Sequence, residues 1–183
     1  MTSIWLVRHG EAAAGFSEDT DPPLSPLGRE QARQSADTLS RYAPHDATLL
    51  TSPKRRAIET GEPYALSVQA ELEIDARFIE LPSPGDLAAR RPWLDEVLQG
   101  EWSVLPEPVQ QWRREIVSAI QSFTSPTVIF THFLVINAVA AHISGEDRVV
   151  QCLPANASVH ELSTDGRGWQ WRARGAMLNS VVN

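Results

Sequence analysis

Apolar residues along the chain fall alternately into short unbroken runs and into helically spaced positions. Residues 3–7, Ser-Ile-Trp-Leu-Val, form such a run, closed by Arg8-His9-Gly10, and read as a buried strand. Residues 11–24, with Gly15, Asp19, Asp21 and Pro22-Pro23, read as a loop. Ser25-Pro26 predicts an N-cap and a first helical turn, and apolar residues at 32, 36, 39 and 43 give that helix one buried face. Residues 47–51 predict a second strand, and Ser52-Pro53 predicts a helix start by the same capping logic. Val109, Trp112, Ile116, Ile120 and Phe123 share one face of a helix over 106–123. Residues 127–131 predict a third strand, followed at 133–143 by a nearly all-apolar helix. Residues 157–162 and 169–173 predict a late strand pair around Asp165-Gly166. This alternation predicts an α/β fold, a three-layer α/β/α sandwich with a mostly parallel central sheet.

The stretch 82–108 breaks the pattern. Prolines at 82, 84, 92, 106 and 108, with Gly85, Gly100, Trp93 and Trp102, mark an irregular excursion carrying one helix near 86–99. It reads as an insertion within a single domain over 1–183, either a lid over a site or a surface connection packed down by its tryptophans.

Composition narrows the function. The 183 residues carry 16 Lys plus Arg against 23 Asp plus Glu, a net charge of −7, which lacks the basic footprint of a nucleic-acid binder. A single cysteine, Cys152, excludes an internal disulfide and a cysteine-cluster metal site. No signal-peptide pattern opens the chain and no apolar run is long enough to span a bilayer, so the expected compartment is the cytoplasm, with no membrane partner.

Basic residues gather where strands end: Arg8-His9-Gly10 after the first, Lys54-Arg55-Arg56 after the second, His132 after the third. Carboxyl ends of parallel strands share one edge, and helix N-termini there favour anions. Each element alone has a blander reading, a structural histidine or a solvated helix start. Together they describe a pocket for a phosphate dianion.

Several segments carry a resemblance in the same order. LVRHGEA (6–12), DPPLSPLGREQA (21–32), TSPKRRAIET (51–60), DARFIEL (75–81), FTH (130–132) and NASV (156–159) resemble the histidine phosphatase superfamily, the phosphoglycerate-mutase-like enzymes. The resemblance implies a metal-independent phosphatase without cofactor, acting on a small phosphorylated metabolite or a phosphohistidine protein. It implies His9 as the nucleophile that carries the phosphoryl group, as a neutral imidazole at pH 7 allows. Arg8 and Arg56 would hold phosphoryl oxygens in forked hydrogen bonds, His132 would add a donor, and Gly10 would orient the imidazole through its backbone. Glu80, flanked by Phe78, Ile79 and Leu81, would be the proton donor, with Glu11 as the nearest rival.

Departures from the family pattern bear on substrate. The stretch Ala12-Ala13-Ala14-Gly15-Phe16 lacks a phosphate-binding asparagine common in the family, for which Ser17 is a candidate substitute. Phe133-Leu134 stand where glycines commonly follow the second histidine, and Lys54 where leucine is common. Larger apolar groups there would narrow the pocket or favour a less polar leaving group. Arg90 and Arg91 read as solvated arginines on a surface helix, unless the excursion folds over the pocket and brings them to a second anionic group. Glu71, Glu73 and Asp75 read as the wet face of a strand, not a metal site. His45, His142 and His160 read as loop, helix and strand residues, and Trp169 and Trp171 as sheet packing. The chain is shorter than the dedicated mutases, which favours a phosphatase; the alternatives are a phosphoglycerate-type phosphomutase and a catalytically silent phosphate-binding module.

Overall fold

The computed structural model describes residues 2–15 and 18–179. A six-stranded sheet runs in the order β3 (Leu72–Ile74), β2 (Thr48–Thr51), β4 (Thr127–Thr131), β1 (Thr2–Arg8), β5 (Val159–Thr164), β6 (Trp169–Ala173). The pairings β1–β4, β2–β4 and β2–β3 are parallel, and β5 and β6 extend the sheet antiparallel. The predicted parallel centre is therefore present, with the late strand pair as a mixed flank.

The centre explains its own sequence. β1 lies between β4 and β5 with both faces covered, so Ile4, Trp5, Leu6 and Val7 are all buried, and β4 is buried along its whole length. Successive side chains point to opposite faces and feed two cores. Trp5, Val7, Leu49, Val128 and Phe130 pack under α1 (Pro26–Tyr42) and α2 (Arg55–Val68), through Leu39, Tyr64 and Ala65. Ile4, Leu6, Leu50 and Ile129 pack under α4 (Glu107–Ser122) and α5 (Phe133–Ser144), joined by α3 (Leu87–Gln99) through Val97. Helices on both faces complete the three layers. Among the described residues no helix is long and apolar enough to cross a membrane.

Ser25 caps α1 as predicted, accepting from Gly28 N at 2.9 Å, with Pro26 in the first turn. Two boundaries differ from expectation. Ser52-Pro53 does not begin a helix: α2 starts at Arg55, and Arg55 N donates to Asp21 Oδ1 at 3.0 Å, so the cap comes from a distant loop. The late strand starts at Val159 because Ala157 sits at φ 55°, a left-handed conformation that extended pairing excludes. The acidic stretch 71–75 includes the edge strand β3, and Asp75 pairs with Arg77.

In the 82–108 stretch, α3 is followed by a short 3-10 turn at Trp102–Val104. The arginines here correct the sequence reading. Arg90 is only 7 % exposed, donating to Ser83 Oγ at 2.9 Å and to the Asp19 carbonyl at 3.2 Å. Arg91 pairs with Asp95 at 2.9 Å. Arg90 is therefore not a solvated surface side chain, because α3 lies against the 11–24 loop, whereas Arg91 keeps a partly exposed side chain in its i,i+4 pair on the helix surface; both line a common pocket.

Candidate active site

The strand order makes β2, β4 and β1 consecutive, so their carboxyl ends deliver Ser52 to Arg56, His132 and His9 to one place. A cavity of about 420 Å³ opens there, lined among others by Arg8, His9, Arg56 and Glu80.

His9 continues β1, its N–H bonded to the Thr131 carbonyl at 2.9 Å. Its Nδ1 lies 2.7 Å from the Gly10 carbonyl, an acceptor only, so Nδ1 carries the proton and Nε2 keeps its lone pair. That lone pair accepts from Arg56 Nε at 3.2 Å. Gly10 N donates to Thr60 Oγ1 at 3.0 Å, and Thr60 in turn donates to the Arg56 carbonyl at 2.6 Å, tying the nucleophile loop to the first turn of α2. The loop also presses on α1: a Cβ on Gly10 would lie 2.6 Å from the Gly28 carbonyl, and one on Gly28 2.1 Å from the Glu11 carbonyl. Two backbones touch here, and only glycine permits it.

His132 is fully buried, and its Nε2 lies 2.7 Å from Ser52 Oγ. Its Nδ1 is 3.4 Å from Arg56 Nη2, which can only donate, so Nε2–H faces the serine and Nδ1 faces the arginine. Ser52, read from sequence as a helix cap, thus accepts the N–H of the second histidine, whose tautomer is set by the donor-only arginine. Arg56 spans both imidazoles, whose rings meet edge to face at 5.2 Å. Desolvation, then the nearby arginines, push both histidines well below their ordinary value of 6.5.

Arg8 is buried, donates Nη1–H to the Pro154 carbonyl at 2.7 Å and stands over the Phe133 ring at 5.3 Å. Its Nε has no hydrogen-bond partner, and burial lowers its pKa to about 10. Glu80 follows the 3-10 turn Ala76–Phe78, held by Thr131 Oγ1 on the Phe78 carbonyl (2.8 Å) and Trp112 Nε1 on the Ile79 carbonyl (3.1 Å). Its carboxyl accepts from Leu81 N at 3.0 Å and from Leu134 N, in the first turn of α5, at 3.3 Å. Desolvation raises its pKa; those two N–H groups and the two arginines pull the other way.

All six residues singled out by sequence therefore meet at one sheet edge. Glu11 lines the pocket but accepts from Ser25 Oγ at 2.7 Å. Ser17 lies outside the described residues. Asn156, quoted only as part of a strand-like segment, lines the pocket with its Nδ2 on the His9 carbonyl at 3.2 Å. Cys152 lies outside this pocket, and burial raises its thiol to about 11. The described residues contain no group of three or more His, Cys, Asp or Glu placed to hold a metal ion.

Comparison with known proteins identifies the family and the fold. The chain is 33% identical over 107 residues to an uncharacterized protein of Picosynechococcus sp., covering 57% of this chain and 60% of that one. It is 40% identical over 85 residues to 6-phosphofructo-2-kinase/fructose-2,6-bisphosphatase 4 of Rattus norvegicus, covering 43% of this chain and 18% of that one. The matches thus span less than two thirds of either relative. Among solved structures, phosphoserine phosphatase of Entamoeba histolytica bound to 3-phosphoglyceric acid superposes with a TM-score of 0.75 at 16% identity, over 97% of this chain and 98% of that one. The profile of the histidine phosphatase superfamily (branch 1) matches residues 4–176. The chain belongs to the histidine phosphatase superfamily.

Proposed function

We propose that the protein is a metal-independent phosphatase that hydrolyses a phosphomonoester through a phosphohistidine at His9. The observation that carries this reading is the unprotonated Nε2 of His9, set by the Gly10 carbonyl and facing Arg56 in a pocket that also holds Glu80. A neutral imidazole is the nucleophilic form, and its lowered pKa keeps it neutral at pH 7.

In the first step Nε2 forms a bond to phosphorus while the bond from phosphorus to the ester oxygen breaks. Glu80 gives its proton to that leaving oxygen. Arg8 and Arg56 stabilise the charge on the equatorial oxygens, the main demand of a loose phosphoryl-transfer transition state, while His132, with its N–H on Ser52 and its lone pair on Arg56 Nη2, holds that guanidinium in position. In the second step Glu80 takes a proton from water, the water oxygen bonds to phosphorus, the P–N bond breaks, and His9 regains its lone pair. The two guanidiniums supply the positive charge that a divalent ion supplies elsewhere.

The test is hydrolysis of p-nitrophenyl phosphate and of a metabolite panel in excess chelator, wild type beside His9→Ala, with acid-quench trapping of phosphohistidine. The expected result is metal-free turnover and an acid-labile phosphoenzyme, both lost in His9→Ala. Phosphate binding without turnover of any substrate would overturn it in favour of a silent binding module. Transfer of phosphate between positions of a phosphoglycerate would favour a mutase.

A further inference from the structure

We propose that this pocket selects phosphomonoesters with an apolar, uncharged leaving group, because the wall beside Glu80 is hydrocarbon and the arginines of α3 are already engaged. The inference rests on the reading of Glu80 as the group that protonates the leaving oxygen. Transfer to His9 Nε2 in line puts that oxygen on the far side of phosphorus, at Glu80. Whatever is attached to it must then pass the side chains around Glu80.

Those side chains are apolar. Leu81 follows Glu80 directly, and the Leu134 N–H bonded to the carboxyl brings the start of α5, with the Phe133 ring, to its side. α3 adds Trp93, Leu94 and Leu98, all half-buried and packed from behind against the main core, so the wall is a rigid extension of that core. Burying alkyl or ring surface there removes it from water at about 25 cal/mol per Å².

The charges nearby do not favour a second anionic group. Arg90 is bonded to Ser83 and to the Asp19 carbonyl, and Arg91 to Asp95. A carboxylate or second phosphate would share those guanidiniums with the partners they already hold and would face Glu11, Glu18 and Asp19, which line the same pocket from the loop side. Desolvating an anion without a dedicated partner is unfavourable.

The experiment is a series of n-alkyl phosphates from ethyl to hexyl, whose leaving alcohols have nearly equal acidity, together with a hexyl ester ending in a carboxylate. kcat/KM is expected to rise about fourfold per methylene and to fall roughly tenfold or more when the chain ends in a charge. Leu94→Gln and Leu98→Gln, each checked for folding by circular dichroism, are expected to flatten the chain-length dependence. A flat series in the wild type, a preference for the carboxylate ester, or unchanged slopes in both variants overturns the inference and leaves the phosphatase standing. Absence of hydrolysis and of phosphohistidine with every ester overturns both.

Discussion

Arg56 donates Nε–H to Nε2 of His9 across 3.2 Å, so the guanidinium proposed to hold phosphate is also the partner of the lone pair proposed to attack it. On the proposed mechanism, an arriving phosphoryl group would take the guanidinium before the imidazole is released to attack. The same guanidinium reaches His132 at 3.4 Å, and the planar fork alone makes both contacts at once.

Arg56→Lys tests that geometry. A lysine keeps the charge but loses the fork, so kcat/KM is expected to fall about 10²- to 10³-fold, with kcat falling more than KM rises. Steady-state kinetics on p-nitrophenyl phosphate reads this out; an effect confined to KM would reduce Arg56 to a point charge that attracts substrate.

Glu80→Gln separates the two steps. p-Nitrophenolate leaves without a proton, so the first step should survive, while hydrolysis of the phosphoenzyme lacks its base and slows about 10²- to 10⁴-fold. Rapid mixing should show a burst of one p-nitrophenolate per site, followed by a stalled phosphohistidine. In the wild type, activity on alkyl esters falls as pH rises through the raised pKa of Glu80, because only its protonated form can give the first proton. An alkaline limb that persists in Glu80→Gln would move the proton donor elsewhere, with Glu11 next to test.

Gly28→Ala probes the contact beneath the nucleophile loop. The added Cβ would meet the Glu11 carbonyl at 2.1 Å, backbone against backbone with no side chain to yield. A loss of about 2–4 kcal/mol in urea unfolding is expected, with a fall in kcat because Gly10 is displaced along with Glu11. Stability within about 0.5 kcal/mol of wild type would mean the loop relaxes freely.

His160 gives a pH dependence of stability. It is buried in β5, accepting from Gly175 N at Nδ1 (3.2 Å) and facing Ser158 Oγ with Nε2 (2.7 Å), and desolvation lowers it to about 4. Its folded pKa lies below the unfolded value, so between pH 6.5 and 4 the unfolded chain binds more protons. Stability from this residue is then lost as pH falls, at up to about 1.4 kcal/mol per pH unit. His9 and His132, also lowered, act in the same direction, and Glu80, raised, opposes them. Urea midpoints between pH 7 and 5 should fall in the wild type and fall less in His160→Gln.

Chain-local features were legible from sequence. The apolar run at 4–7, the Ser25-Pro26 cap and the basic residues after three strands each depend on neighbours in the chain, and the sheet order brought those strand ends together. Long-range pairings were not. Asp21 capping α2, Arg90 reaching the Asp19 carbonyl and Asn156 on the His9 carbonyl join segments that no periodicity relates. Ser52 shows the ambiguity in one residue. Ser-Pro before a helical pattern signals a cap, but the chain needed two more residues to turn, and the hydroxyl went to His132 instead.

The position of β1 bears on how this protein comes to work at all. The strand that leads into His9 finds its partners in residues 127–131 and 159–164, far along the chain. On the ribosome, its apolar run must wait for more than a hundred further residues to be made before either edge is covered. Loop closure on that scale slows folding and leaves an exposed hydrophobic strand in the interim. A nascent or cleaved chain lacking β4 and β5 would hold His9 with no second histidine beside it. The proposed site is therefore complete only when β4 and β5 have paired with β1, so its assembly is tied to the long-range step of folding.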